Sequence, residues 1–347
     1  MSTLAPQTPA THQSVFPQTP SRPRLGFLGV GWIGRQRMEA IAKTGLVEIA
    51  AIADSARDLA AQAAQQAPGA TCVESLEELL AVGVDGVVIA TPSALHAEQA
   101  IAALDHGAAV FCQKPLGRNA TETWRVIEAA RAGNLLLGVD LSYRFLNQIT
   151  KLYELVRQGG LGEVYAADLM FHNAYGPDKA WFYDRQLSGG GCVIDLGIHL
   201  VDLALWMFDF PAVTQVTCRL FAQGKSLPRQ TKSVEDYAVA RLDLANGATV
   251  QLACSWKLPA GCDAIIAASF YGTKGGASFR NVDGSFYDFV VEHYRGTRRE
   301  LLASAPEDWG GKAVTHWASR LADGARFDPA IQELAQVAAT LDAIYQA

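Results

Sequence analysis

Through the first 140 residues, short unbroken apolar runs alternate with segments whose apolar positions recur every three or four residues. The runs at 24–28, 47–53, 86–90, 109–112 and 135–139 show no polar alternation, which predicts strands covered on both faces and therefore a parallel sheet. The segments between them, at 35–41, 56–67, 75–82, 95–106 and 120–132, have helical periodicity. Strand and helix in this repeated order predict a doubly wound α/β domain that binds ligands beyond the carboxyl ends of its strands. Asp54, Thr91 and Lys114 all fall at such ends.

From about residue 141 the pattern changes. A helix at 147–158 leads through Gly159-Gly160-Leu161-Gly162 into a long strand at 163–173. Alternating strands follow at 213–223, 236–244, 249–257, 264–271 and 276–280, with Asn246-Gly247 as a hairpin signal. This predicts an α+β domain built on a large, mostly antiparallel open sheet. Asp328-Pro329 suits the cap and first turn of a closing helix. The expected organisation is a flexible arm at 1–22, the doubly wound domain at 23–140, the α+β domain at 141–326, and a C-terminal helix at 327–347. The arm is rich in Pro, Thr, Gln and Ser and lacks the apolar core of a secretory signal.

At 347 residues the chain is long enough for two domains with full cores. A net charge of -6 argues against a nucleic-acid or anionic-membrane surface, because either would need a basic patch. No apolar run reaches the length expected of a membrane span. The six cysteines form no CxxC pair, so buried free thiols in a reducing cytoplasm are expected, with no metal site.

Two stretches carry chemistry. The first is Gly29-x-Gly31-x-x-Gly34, between a strand and a helix, with Trp32 and Ile33 inside it and Asp54 about 20 residues on. Its glycines permit a tight turn, close approach of a pyrophosphate, and tight strand–helix packing, while Asp54 would accept hydrogen bonds from a ribose. The second is Gly189-Gly190-Gly191 opening an apolar helix whose polar residues Asp195, His199 and Asp202 are spaced i, i+4 and i+7. That spacing puts them on one α-helical face, and an acid beside a titratable base there suits proton transfer. Lys114, at the mouth of the dinucleotide site, could bind a substrate oxygen or stabilise an alkoxide.

Together, the glycine fingerprint, Lys114-Pro115, Ala90-Thr91-Pro92-Ser93-x-x-His96 and the Asp195/His199 helix resemble the Gfo/Idh/MocA family of glucose–fructose oxidoreductase, inositol dehydrogenase and relatives. The resemblance spans the chain from Arg24 to the terminal helix. It implies hydride transfer between NAD(P) and a hydroxyl or carbonyl carbon of a sugar, polyol or sugar derivative. It casts His199 as acid/base, Asp195 as the group orienting its imidazole, and Lys114 as the ligand of the reacting oxygen. Cofactor contacts are expected from Gly29, Gly31, Trp32, Ile33, Gly34, Asp54, Arg57, Thr91, Pro92, His96, Gln113 and Lys114. Substrate contacts are expected from Lys114, Arg144, His172, Trp181, Tyr183, Asp195 and His199, with Asn173 and Asp184 nearby. Asp54 would repel a 2′-phosphate and favours NAD, whereas Arg57 leaves NADP open.

Two positions depart from the family's pattern. Gln113 stands where a glutamate usually precedes the lysine, removing a carboxylate that would raise that lysine's proton affinity. Trp181-Phe182 stands where relatives often carry Trp-Arg. The family likeness also implies a homodimer or homotetramer through the open sheet. Two other functions fit the same motifs: a non-catalytic NAD(P)-sensing regulator, and a sugar–sugar oxidoreductase that never releases its nucleotide.

Overall fold

The computed structural model describes residues 22–228, 231–307 and 310–347. The expected arm lies, apart from Arg22, outside the described residues. The first sheet comprises β1 (Arg24–Leu28), β2 (Glu48–Ala53), β3 (Thr71–Val73), β4 (Gly86–Ile89), β5 (Ala109–Cys112) and β6 (Leu137–Val139). Its strands are parallel in the order β3-β2-β1-β4-β5-β6. The order reverses between β1 and β4, which opens a crevice at their carboxyl ends. Helices α1 (Trp32–Thr44), α2 (Arg57–Ala64), α3 (Leu76–Ala81), α4 (Ser93–Asp105) and α5 (Ala120–Gly133) connect the strands. The expected doubly wound α/β fold is present; β3, too short and exposed to carry an apolar signal, went unrecognised.

The second unit holds α6 (Asn147–Arg157), β7 (Val164–Asn173), the single turn α7 (Arg185–Ser188), α8 (Ile198–Met207), β8 (Val213–Ala222), β9 (Lys225–Ser226), β10 (Tyr237–Leu244), β11 (Thr249–Ser255), β12 (Ala264–Gly272), β13 (Gly275–Asn281), β14 (Phe289–Arg295) and β15 (Arg298–Ala303). They form a nine-stranded sheet in the order β15-β14-β13-β12-β7-β11-β10-β8-β9. Only β7 and β11 pair in parallel. Alternation sends Ala238, Ala240, Leu242, Ala268 and Phe270 into a core shared with α8. It leaves Val239 and Tyr271 exposed on the other face.

Two expectations need correction. The segment Arg185–Met207 has the length and hydropathy of a membrane-crossing helix, but 89% of its most apolar window is buried in the protein and the chain bends at Gly189–Gly191, making it a core element. Helix α9 (Lys312–Ala322), placed by sequence within the second domain, packs instead on the first sheet. The Trp317 ring lies 5.8 Å from that of Phe111. A Cβ on Gly86 or Gly138 would meet the same indole at 2.9 or 2.7 Å, so these strand glycines make room for it. Helix α10 (Glu333–Gln346) closes the chain against α5 and α8, after Asp328 caps the preceding turn through Ala330. Of the six cysteines, expected to be buried, Cys112, Cys192 and Cys254 are, whereas Cys72, Cys218 and Cys262 are not.

Candidate active site

The turn from β1 into α1 forms the floor of the crevice. Gly29 has φ +86, and a Cβ there would strike the Ala90 carbonyl carbon at 2.7 Å. A Cβ on Gly34 would sit 2.1 Å from the Gly29 carbonyl oxygen. Gly31 differs: its Cβ would meet no protein atom within 4 Å, so the loop presents bare backbone to open space at the start of α1. That arrangement fits a pyrophosphate, held by backbone N–H groups at a helix N-terminus. Asp54, at the end of β2, accepts from the Val30 N–H (2.8 Å) and the Ala56 N–H (2.9 Å), which fixes its carboxylate beside the glycine loop. Arg57 pairs with Glu74, and Trp32 is exposed at the first position of α1.

Lys114 follows β5 at the same edge. Its ammonium donates to Asp195 Oδ1 (2.5 Å) and to the Asp195 carbonyl (2.7 Å). The other carboxylate oxygen accepts from Trp256 Nε1 at 3.0 Å. Both Asp195 oxygens are thus taken, and the expected Asp195–His199 contact is absent among the described hydrogen bonds. Asp195 is carried on a π-helical turn at Val193–Gly197, and its carboxylate is directed to Lys114 and Trp256.

His199 lies in the first turn of α8. The Tyr143 ring meets its imidazole edge-on at 5.1 Å, and Phe171 lies 6.3 Å away. Nδ1 is buried and has no hydrogen-bond partner among the described residues. Burial, reinforced by the Lys114 charge, holds this imidazole well below the usual histidine range. It is therefore neutral at pH 7, with a lysine cation and an ion-paired carboxylate alongside.

Several expected contacts belong elsewhere. Asp202 accepts from Arg144 Nε (2.8 Å) and Nη2 (2.5 Å), Glu333 pairs with the same guanidinium (3.2 Å), and Trp206 and Phe210 flank it. Three of the five N–H donors of Arg144 are spent on Asp202 and Glu333, which makes it a clamp between α8 and α10. His172 alternates with Phe171 along β7 and so points to the opposite side of the sheet from His199. There it bonds Ser255 Oγ (2.8 Å) and stacks on Tyr237. His96 is 1% exposed, with ring nitrogens 2.7 Å from the carbonyls of Thr91 and Pro115. It joins the two loops at the crevice mouth and is too deep to touch a nucleotide.

Trp181 stacks on Phe182, and Tyr183 and Phe182 both meet Trp256 nearly edge-on. Trp181 and Tyr183 thereby stand near Asp195 through Trp256. Trp256 itself was not anticipated. It sits one residue past β11, where the alternating pattern reads as a plain strand end.

Residues 24–141 match the model of an oxidoreductase family with an NAD-binding Rossmann fold, and residues 149–278 match the Gfo/Idh/MocA C-terminal domain. The chain is similar to D-glucoside 3-dehydrogenase of Escherichia coli K12, 29% identical over 272 residues covering 75% of this chain and 78% of that one. An oxidoreductase subunit of Amycolatopsis mediterranei is 31% identical over 248 residues, covering 67% and 68% of the two chains. The crystal structure of GenD2 from gentamicin A biosynthesis, in complex with NAD, aligns with a TM-score of 0.79 at 25% identity, covering 98% of this chain and 96% of that one.

Proposed function

The chain belongs to the Gfo/Idh/MocA oxidoreductase family, and on that premise we propose that it moves a hydride between a nicotinamide dinucleotide and a carbon of a sugar or polyol. The observation that carries this reading is the meeting of Lys114, Asp195 and a neutral, half-buried His199 at the carboxyl edge of the nucleotide sheet. The nicotinamide would supply the hydride chemistry when bound; Gly29, Gly31 and Gly34 would hold the dinucleotide's pyrophosphate and Asp54 would accept from its adenosine ribose. In the oxidising direction, His199 takes the hydroxyl proton as hydride leaves the carbon. Lys114 donates to the same oxygen and stabilises the negative charge that gathers there. Asp195 aims Lys114, a different task from orienting the imidazole. In the reducing direction, protonated His199 returns the proton.

A sugar or polyol as substrate is supported by the name of the Escherichia coli relative, a glucoside dehydrogenase. Preference for NAD is supported by Asp54 and by the pairing of Arg57 with Glu74, since a 2′-phosphate would meet two carboxylates and one engaged guanidinium. The uncovered sheet face with Val239 and Tyr271 supports association of two or more copies, which a light-scattering mass near that of a monomer would contradict. The enzymatic reading is tested by single-turnover absorbance of the reduced nicotinamide, with stoichiometric protein, NAD or NADP, and a panel of sugars, inositols and nucleotide sugars. A signal confined to one substrate class is expected. Silence across the panel, with nucleotide binding confirmed, would favour a regulator.

A further inference from the structure

Asp140 lies just past β6, beside the Gln113-Lys114 end of β5, and is 2% exposed. Its Oδ2 accepts from Arg37 Nε at 2.6 Å and also from Gln113 Nε2. Its backbone N–H donates to the Cys112 carbonyl at 3.0 Å. Arg37 comes from α1, the helix that opens at the glycine loop, and its side chain is 6% exposed. One carboxylate oxygen thus joins the phosphate-side helix, the strand end that delivers Lys114, and β6.

This geometry fixes the polarity of Gln113. A carboxylate ion-paired to arginine only accepts hydrogen bonds, so the amide must turn its nitrogen toward Asp140 and its oxygen away. No described group donates to Gln113 Oε1. The outward oxygen therefore offers an acceptor at the carboxyl edge of the sheet, where a dinucleotide lies.

We propose that Asp140 is a positioning residue for the nucleotide: by locking the Gln113 amide it presents a neutral acceptor, one residue before Lys114, to a hydroxyl or amide donor on the nicotinamide half. The inference rests on the nucleotide-binding reading above. It also alters the expectation that this edge lost its carboxylate with Gln113, because Asp140 supplies one from the neighbouring strand, a single hydrogen bond further back.

The experiment is NADH binding by fluorescence titration between about pH 5.5 and 8.5, on wild type, Gln113→Glu, Asp140→Asn and the double variant, with near-UV circular dichroism to verify packing. Gln113→Glu places two buried carboxylates against each other, so the pair shares a proton. Its NADH affinity should fall at least tenfold at the alkaline end and recover toward acid, a pH dependence that wild type lacks. In the double variant the amide and the carboxylate have exchanged places, so the amide now at position 140 donates to the carboxylate now at position 113. Because Arg37 and residue 113 converge on one oxygen, Arg37 finds the new carboxylate as well, so affinity should return to within about threefold of wild type and lose its pH dependence. Asp140→Asn alone leaves Arg37 unpaired and lets the Gln113 amide flip, so it should bind more weakly than the double variant.

If Gln113→Glu binds like wild type at every pH, or the double variant is no better than its parents, Asp140 does not set the polarity of this site. If wild type binds neither NADH nor NADPH, the underlying nucleotide reading fails instead.

Discussion

Replacing His199 with glutamine should flatten the acid limb of the stability curve. In the folded protein, burial and then the Lys114 charge hold this imidazole well below its ordinary value of 6.5. As pH falls past 6.5 the unfolded chain binds a proton at this residue while the folded chain does not. More protons on the unfolded state means that stability falls with falling pH, and the loss continues until the depressed folded value is reached. Each unit in that window costs about 1.4 kcal/mol per proton. His96 is lowered by burial too and adds a loss of the same sign, which remains in the variant. Glutamine is chosen because Nδ1 has no hydrogen bond to lose. Urea unfolding followed by tryptophan fluorescence, at half-unit steps from about pH 7.5 to 5, gives the two curves. Wild type should lose more stability than His199→Gln, by about 1.4 kcal/mol for each pH unit between 6.5 and the folded value. Parallel curves would show that His199 titrates alike in both states, and the claim of a neutral, ready base would fall.

Other consequences separate binding, chemistry and packing. Gly31→Ala should leave stability within about 0.5 kcal/mol of wild type, as its Cβ meets no protein atom, yet weaken NADH binding by at least about tenfold; Gly34→Ala should lower the melting temperature outright, because its Cβ collides with backbone. Lys114→Met should slow turnover by roughly a hundredfold or more and raise the His199 value toward, though not up to, the ordinary one, which an NMR titration would read. Trp256→Phe removes a donor to an ionised carboxylate, a loss of about 1.5–3 kcal/mol, and should reduce kcat/KM while NADH affinity holds. Arg144→Met strands the Asp202 carboxylate, whose side chain is 3% exposed, and should destabilise the protein by about 3–5 kcal/mol in urea unfolding without changing the dissociation constant for NADH.

Much of this was already written in the order of residues. Unbroken apolar runs mark strands buried on both faces, and that local signal fixed β1, β2, β4, β5 and β6 within a residue or two. The glycine fingerprint needed only its flanking strand and helix to be legible, because each glycine answers a constraint set by its immediate neighbours. The strands β14 and β15 escaped notice; charged residues such as Arg298, Arg299 and Glu300 interrupt the pattern at the sheet's edge, where one side of the strand has no partner.

Sequence by itself therefore determined the two-part architecture, the nucleotide loop, and the identity of Lys114, Asp195 and His199 as candidates. Tertiary structure alone decided who holds whom. Asp195 sits four residues from His199 yet bonds Lys114 and Trp256, 81 and 61 residues away. Asp202 serves Arg144 across 58 residues, and Asp140 reaches Arg37 across 103. Helical spacing proposes which residues share a face, and says nothing of the partner each then takes: Asp195, on the π-helical turn at Val193–Gly197, goes to Lys114 and Trp256. Periodicity reports which side of an element is buried; the partner that meets a buried polar group is chosen by packing between elements far apart in the chain, where hydrogen-bond satisfaction in a dry interior leaves few alternatives.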